Sequence, residues 1–539
     1  MADFVTIAPS LPSRSGVLDQ KMKGRSGRGG LVIFGAALLA GLVYIAIHVS
    51  RDLDAVRVTS SWPYMLLGLA LLIALGFEFV NGFHDTANAV ATVIYTNSLE
   101  PNVAVVLSGL CNLLGVLLSS GTVAYAIITL LPVDLILQVS SGAGFAMVFA
   151  LLIAAILWNL ATWWLALPAS SSHTMVGSII GVGIANQLMN PHTGTSGVDW
   201  GQAKKVLESL LISPVVGFTL AGLLLLFSKW LLRYPSLYEA PKGTEPPPFP
   251  VRALMVLTCT GVSFTHGQND GQKGMGLIML ILIGTVPTAY ALNHAVSPTE
   301  VQDFIAASER AVHIFDQHYD PSAPVTANPS AEVTDYIRTA KLTPATAPAL
   351  RRMIDDLDHQ VTHYGEYKAL PPQDQANARN GMYLTSEALG MMHKANNPGF
   401  SAEEWAALDN YKTKVDKATK YIPGWVKVAV ALALGLGTMV GWKRVVVTVG
   451  EKIGKHHLTY AQGAVAGIVA IGTIFGATAF GRPVSTTHIL SSGIAGTMAA
   501  NGSGLRFKTI RNIAAAWVFT LPAAALLSGC LYWLFRHMA

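Results

Sequence analysis

The chain contains 539 residues, of which 52% are hydrophobic and only 12% are charged. Because a soluble domain carries about 25% charged residues, this composition excludes an ordinary soluble domain and predicts a membrane protein. The net charge of +5 is too small to indicate a nucleic-acid partner, and the three cysteines show no CxxC or metal-ligand spacing.

The predicted elements begin with a basic cytoplasmic tail at 1–30 and an extra apolar helix at 31–48, which lacks a signal-peptide cleavage site. Later runs approach or exceed the ~20 apolar residues that a helix needs to cross a bilayer. They lie at 62–80, 103–131, 145–167, 173–188, 207–232, 251–265, 275–293, 424–442, 460–480, 489–500 and 513–535. We therefore expect an all-α polytopic membrane protein in contact with a lipid bilayer.

One segment, 294–420, has no apolar run of membrane length. Apolar residues recur there at steps of three and four, which predicts amphipathic helices. We interpret it as a small, soluble, extracytoplasmic helical insert. The first membrane repeat is then 62–232, a cytoplasmic linker covers 233–250, and the second repeat is 251–293 together with 421–539.

The stretch NGFHDTANAV ends the second apolar run and places His84, Asp85 and Asn88 at membrane depth. Glu78 lies seven residues before Asp85 in the same apolar run. An ionisable group inside a membrane is expensive and marks a functional site by default. We expect the helix to break at Asn81–Asp85, because irregular backbone at this depth is tolerated where it lines a cavity.

Two motifs occur twice in the same order. PASSSH, with Ser170, Ser171, Ser172 and His173, resembles PVSTTH, with Ser485, Thr486, Thr487 and His488. Both lead into small-residue helices with Gly eight residues after the His, at Gly181 and Gly496. Likewise Gly82, Asp85 and Asn88 align with Gly267, Asp270 and Lys273, and a second break is expected at His266–Lys273.

Such duplication predicts a transporter built of two repeats with broken helices and helical hairpins. With the basic residues placed in the cytoplasm, the first hairpin enters from outside and the second from inside. The two repeats are therefore expected to be inverted.

The hairpin tips indicate anion binding, because a helix N-terminus offers free N–H groups and positive potential. Capping accounts for one hydroxyl at each tip but not for three in a row at both tips, so we expect the two facing tips, with their six hydroxyls, to surround a tetrahedral oxyanion. Asp85 and Asp270 would repel an anion unless a cation or a proton lies between them. Sodium coordination and protonation of the carboxylates and histidines both meet this need.

Lys273 replaces Asn88 of the first half and is a candidate substrate-binding residue. It would act as a fixed cation that neutralises Asp270 or contacts the substrate directly, and its repulsion of a metal cation favours proton coupling. The candidate proton-coupling residues are Asp85, Asp270, His84, His173, His266, His488 and Glu78. No cofactor or resident metal is expected.

The stretches NGFHDTANAVATVIYT, LPASSSHT, HGQNDGQKGMGLIML and RPVSTTH resemble the inorganic phosphate transporter (PiT) family, in particular its bacterial low-affinity Pit type. The resemblance covers about 62–535. It implies a non-enzymatic symporter of the bacterial inner membrane that imports phosphate with protons, as a neutral metal-phosphate complex. It places Asp85, Asn88, Asp270 and the six hydroxyls of the tips at the phosphate site. The Asp-x-x-Lys of the second motif departs from sodium-coupled members.

Other interpretations remain open from the residues alone. They are sodium coupling, another oxyanion such as sulfate, a divalent-metal transporter using His84, Asp85, His266 and Asp270, and an intramembrane serine hydrolase using Ser170 or Ser172 with His173 and Asp85. The hydrolase lacks a G-x-S-x-G elbow. The assembly state, including a homodimer, is not determined by the sequence.

Overall fold

A computed structural model describes residues 28–54, 62–130, 142–189, 198, 200–241, 245–319, 327–395 and 399–538. Within these ranges the first part of the chain forms α1 (Arg28–Asp54), α2 (Trp62–Tyr95), α3 (Pro101–Leu117), α4 (Thr122–Ile128), α5 (Gly142–Trp164), α6 (Ser171–Met189) and α7 (Trp200–Leu231). The second part begins with α8 (Phe249–Thr285) and the short α9 (Pro287–Tyr290).

The segment predicted as an insert is helical. It forms α10 (Pro298–His318), α11 (Pro329–Thr339), α12 (Thr346–Tyr364), α13 (Pro372–Lys394) and α14 (Ala402–Thr419). Capping boxes begin α10 at Ser297 and α14 at Ser401, and Phe304, Phe315 and Leu408 are buried between the helices. The chain then continues with α15 (Gly424–Thr438), α16 (Lys443–Val447), α17 (Tyr460–Ala479), α18 (Thr486–Asn501) and α19 (Phe507–Met538).

Six of the described helices are long and apolar enough to cross a membrane, namely α1, α2, α5, α7, α17 and α19. Two bent pairs raise the number to eight if each is one span: α3 with α4, bent by 77°, and α14 with α15, bent by 68°. On α7 and α19 large apolar side chains such as Leu211, Phe227 and Leu526 face outward, as lipid contact requires. The polytopic all-α prediction is confirmed.

The positions predicted for the helix breaks are wrong. Helix α2 continues through Asn81–Asp85, and α8 continues through His266–Lys273. Neighbouring helices bury the polar side chains of both stretches, so the backbone can keep its own helical hydrogen bonds. The predicted span 103–131 is the one that breaks, after Leu117, and Gly121 begins α4 with a φ of +92° that favours glycine.

The same helix contacts occur twice, once in each half. The corresponding helices are α2 and α8, α3 and α15, α5 and α17, α6 and α18, and α7 and α19. Helix α2 packs against α15 as α8 packs against α3, and α6 packs against α19 as α18 packs against α7. The hairpins α5–α6 and α17–α18 correspond in the same way. Two repeats require this recurrence, whereas their inverted orientation in the membrane stays a prediction.

The aligned glycines Gly181 and Gly496 occupy equivalent close contacts. A Cβ on Gly181 would lie 1.9 Å from the carbonyl oxygen of Ala525 on α19, and one on Gly496 would lie 2.1 Å from that of Phe218 on α7. Only glycine permits these approaches, which hold each hairpin against a helix of the other half.

Candidate functional site

Asp85 lies where the two hairpin tips meet. Its carboxylate is 3% exposed and accepts hydrogen bonds from the Ser171 hydroxyl of the first tip and the Thr487 hydroxyl of the second, each at 2.6 Å. One carboxylate of α2 therefore bridges the starts of α6 and α18. The structure brings these three predicted site residues into direct contact.

Capping occupies the first hydroxyl of each tip. The Ser170 Oγ accepts from the His173 backbone N–H at 3.2 Å, and the Ser485 Oγ accepts from the His488 backbone N–H at 3.1 Å. These bonds satisfy N–H groups that a helix start leaves open. The other hydroxyls of the tips remain for a second function.

Lys273 is buried in the site, with 1% of its side chain exposed. Its Nζ lies 2.7 Å from Asp270 Oδ1, and it donates to the Ser172 Oγ and, at 3.3 Å, to the Val484 carbonyl oxygen. A lysine that extended to the membrane surface would be exposed. Lys273 is instead a fixed positive charge between Asp270 and the tips.

The two halves use their hydroxyls differently. By the alignment of the tips, Thr486 corresponds to Ser171, and Thr487 corresponds to Ser172. The buried Thr486 hydroxyl has no hydrogen-bond partner among the described residues, whereas Ser171 donates to Asp85. The site thus offers one unused hydroxyl at the second tip.

His266 stands between the two aspartates. Its Nε2 is 3.8 Å from Asp85 Oδ2 and 3.6 Å from Asp270 Oδ2. Its Nδ1 lies 2.9 Å from Asn112 Oδ1, while the Asn112 amide nitrogen donates to the Thr438 hydroxyl at 3.0 Å. Because the Thr438 hydroxyl donates to a backbone carbonyl, the Asn112 oxygen must accept the proton of His266 Nδ1.

This arrangement determines what His266 presents to the aspartates. With Nδ1 donating to Asn112, a neutral ring turns the lone pair of Nε2 toward two carboxylates. This lone pair and the carboxylate oxygens repel each other. One proton on Nε2, or on a facing carboxylate, replaces that repulsion with a hydrogen bond. The ligand atoms of Asp85, His266 and Asp270 all lie within 4.8 Å of one another, so the same space could also hold a cation.

His84 repeats this arrangement on the other side of Asp85. Its Nε2 is 3.1 Å from the Thr162 hydroxyl, which donates to backbone carbonyls, and its Nδ1 is 3.3 Å from Asp85 Oδ1. The Thr162 oxygen therefore accepts the Nε2 proton, and Nδ1 faces the carboxylate. Two imidazoles thus flank Asp85, and each needs one proton between its facing nitrogen and the carboxylate to form a hydrogen bond.

The other predicted coupling residues lie around this centre. The rings of His173 and His488 pack 4.4 Å apart between the tips, and Trp517 stacks on His488 at 4.0 Å. Glu78 is fully buried, and its carboxylate packs directly against Gly274. A Cβ at that position would lie 2.3 Å from the Glu78 Oε1, so the contact requires glycine. The side chain of Asn88 lies outside the described residues.

Sequence reasoning missed the residues that orient the histidines. Asn112, Thr162 and Thr438 are buried partners of the site, and each stands in an apolar run as an isolated polar residue. That isolation is a signal, because a polar side chain in such a helix needs a partner. Which partner it would find depends on helix packing, which the sequence does not display.

Comparisons with known proteins agree with the resemblance. Residues 81–528 match the sequence model of the phosphate transporter family, PHO4. The low-affinity inorganic phosphate transporter PitA of Escherichia coli K12 is 44% identical over 494 residues, which cover 87% of this chain and 96% of the relative. PitB of the same organism is 42% identical over 490 residues, with the same coverage. A solved structure titled the sodium-dependent phosphate transporter matches 88% of this chain and 100% of its own, with 18% identity and a TM-score of 0.48.

Proposed function

This chain belongs to the PHO4 phosphate transporter family, a family of membrane transporters and not of enzymes, and from this premise we propose that it imports inorganic phosphate by proton symport. The proposed location is the bacterial inner membrane. The central site is the place where phosphate and proton meet, and alternating access opens it to either side.

The hydroxyls of the tips support phosphate as the ligand. Ser171 and Thr487 now donate to Asp85, Ser172 contacts Lys273, and Thr486 has no partner among the described residues. In the proposed mechanism these hydroxyls turn to the phosphate oxygens. The starts of α6 and α18 add N–H groups and positive potential, and Lys273 adds a full charge.

The observation that carries proton coupling is the pair of histidines around Asp85. His84 and His266 each direct one nitrogen at the carboxylate, and their other nitrogen is already committed as a donor. A proton taken up here removes the negative charge that would repel phosphate. Lys273 already compensates Asp270, so a single exchangeable proton neutralises the remaining carboxylate.

Sodium coupling is the second candidate, and the cluster of Asp85, His266 and Asp270 favours it, because its ligand atoms are close enough for a cation. The nearby ammonium of Lys273 argues against it by repulsion. A neutral metal-phosphate complex as the transported form would further reduce the charge brought into the buried site. Uptake measured across a series of divalent-ion concentrations tests that form.

The deciding experiment is radiolabelled phosphate uptake into proteoliposomes, driven separately by an inward proton gradient and an inward sodium gradient. We expect uptake with the proton gradient alone, competition by arsenate, and little competition by sulfate. Asp85→Asn should abolish uptake, while Glu208→Gln, a change at an exposed carboxylate of α7, should not. Uptake that requires sodium would reject proton coupling, and transport of sulfate in preference to phosphate would reject the substrate.

A further inference from the structure

Three hydrogen bonds join Asn269 of α8 to the second hairpin. Its side-chain nitrogen donates to the Thr478 hydroxyl of α17 at 2.9 Å and to the Arg482 carbonyl oxygen at 3.2 Å. Its side-chain oxygen accepts from the Val484 N–H at 3.3 Å. The side chain is fully buried, so both polar atoms of the carboxamide are used on the segment that leads from α17 into the second tip.

This segment needs a partner of that kind because it is not helical. Pro483 has no N–H, and Val484 is buried before α18 begins at Thr486. Buried backbone N–H and C=O groups require hydrogen-bond partners. A carboxamide supplies a donor and an acceptor side by side, as a neighbouring strand would, whereas an ionised carboxylate cannot donate. Asparagine at 269 therefore matches the polar groups on either side of Pro483.

The peptide unit that Asn269 holds also contacts the central site. The carbonyl oxygen of Val484 accepts a hydrogen bond from the Ser172 hydroxyl at 2.9 Å and another from Lys273 Nζ at 3.3 Å. Val484 is thus bound through its N–H by α8 and through its C=O by the first tip and the fixed charge. A shift of Val484 would move the hydroxyls that follow it at the start of α18.

The corresponding position in the first half is used differently. By the alignment of the two motifs, His84 corresponds to Asn269. Each side chain reaches a threonine on the first helix of its own hairpin: His84 reaches Thr162 of α5 at 3.1 Å, and Asn269 reaches Thr478 of α17. The other ring nitrogen of His84 faces Asp85 at 3.3 Å, whereas the rest of the carboxamide binds the backbone of the tip.

We propose that Asn269 is a positioning residue for phosphate binding. Its carboxamide fixes the second tip on α8, so that the hydroxyls of Thr486 and Thr487 are held at the central site. In this role Asn269 acts through the tip and does not itself bind phosphate.

This inference rests on the proposed function of the chain, because it takes phosphate as the ligand of the tips. It gives the two halves different tasks. In the second half, α8 holds both the positive charge, on Lys273, and the tip, through Asn269. In the first half, the residue at the same position, His84, faces the carboxylate that takes up the proton.

The first test is uptake of labelled inorganic phosphate by Asn269→Ala in proteoliposomes, under the gradient that drives the wild type and corrected for folded protein. We expect KM for phosphate to rise at least about tenfold, the value of one hydrogen bond to a charged group, with kcat changed much less. Asn186→Ala is the matched control. Asn186 is also buried and accepts from the Tyr532 hydroxyl at 2.8 Å, but it lies about four helical turns beyond the first tip. Its loss should lower the unfolding temperature and leave KM unchanged.

A double-mutant cycle with Thr486→Val separates positioning from direct binding. If Asn269 acts through the tip, Thr486→Val should raise KM less than about twofold in the Asn269→Ala background, because the displaced hydroxyl no longer contributes. A direct phosphate ligand at 269 would instead give additive effects. Hydrogen exchange of the segment 480–488 reports the tip itself, and it should be faster in Asn269→Ala and unchanged in Asn186→Ala.

Three results would overturn the proposal: an unchanged KM in Asn269→Ala, additive effects in the cycle, or unchanged exchange of 480–488. If Asn269→Ala does not fold, Asn269→Ser, whose hydroxyl can bond within its own helix, must show the same rise in KM and the same faster exchange. Failure of the proposed function would look different, since wild-type proteoliposomes would then take up no phosphate under any gradient.

Discussion

Replacing Lys273 with asparagine tests the role of the fixed charge most directly. Lys273→Asn recreates the Asp-x-x-Asn pattern of the first half and removes an ammonium 2.7 Å from Asp270, together with its bonds to Ser172 and Val484. Breaking a buried ion pair from one side costs about 3–5 kcal/mol. The same uncompensated charge on Asp270 opposes an anion in the site, and at 1.4 kcal/mol for each factor of ten the lower end of this range corresponds to a fall of about a hundredfold in kcat/KM for proton-driven phosphate uptake.

The same variant should gain a dependence on sodium, because a cation can now compensate Asp270 without repulsion from the lysine. The assay is uptake into proteoliposomes under a proton gradient, with and without sodium on both sides. Lys204→Asn, the same substitution at a residue that is 78% exposed, is the matched control and should behave as the wild type. Unaltered proton-driven uptake by Lys273→Asn would refute the reasoning.

Three further changes probe the packing, the insert and the second tip. Gly181→Ala and Gly496→Ala each place a Cβ within 2.1 Å of a carbonyl oxygen and should both destabilise the protein by about 3 kcal/mol or more, while Gly472→Ala, which meets nothing within 4 Å, should not; thermal unfolding followed by size-exclusion chromatography measures this. Burial, with a neighbouring glutamate, raises the pKa of Asp358 to about 6, so the stability that this group contributes is present at acid pH and is lost as the pH rises through 6. Asp358→Asn should therefore stabilise the protein by about 1 kcal/mol near pH 8, after allowance for solvent screening, and have no effect below about pH 4. Thr486→Val removes a hydroxyl without a partner among the described residues, so the unfolding temperature should hold while KM for phosphate rises about tenfold, the value of one hydrogen bond to a charged group; an unchanged KM would remove Thr486 from the phosphate site.

Much of the site was predictable because its polar residues lie in short stretches of consecutive sequence. The residues of each tip are neighbours in the chain, and their duplication reveals itself by alignment, so Ser171 and Thr487 could be placed together before any contact was known. Which hydrogen bond each of these hydroxyls forms was not predictable. Whether a hydroxyl caps its own helix, as Ser170 and Ser485 do, or reaches Asp85 depends on rotamers and on the approach of α2.

The wrong break positions have a physical cause. Polar residues in an apolar run require partners, and an unwound backbone is only one way to supply them. In α2 and α8 other helices supply the partners, so Asp85 and His266 sit on regular helix. The actual break at Gly121 follows two serines, a local turn signal that the long apolar composition of 103–131 concealed.

The two-fold arrangement also explains why Lys273 matters beyond its charge. If both halves behaved alike, Asp270 would receive hydroxyls from Thr486 and Ser172 as Asp85 receives them from Ser171 and Thr487. Instead, Lys273 donates a hydrogen bond to the Ser172 hydroxyl oxygen, and the Thr486 hydroxyl has no partner among the described residues.

One half of the site therefore carries its cation permanently, and the other must acquire one in each cycle. The two aspartates of the repeated motifs need two positive charges before an anion can enter, and Lys273 is always one of them. On the proposed mechanism, the charge imported to prepare the site for each phosphate is accordingly one, whereas a site with asparagine in both halves would require two. Counting the charge moved per phosphate in the wild type and in Lys273→Asn would measure that difference directly.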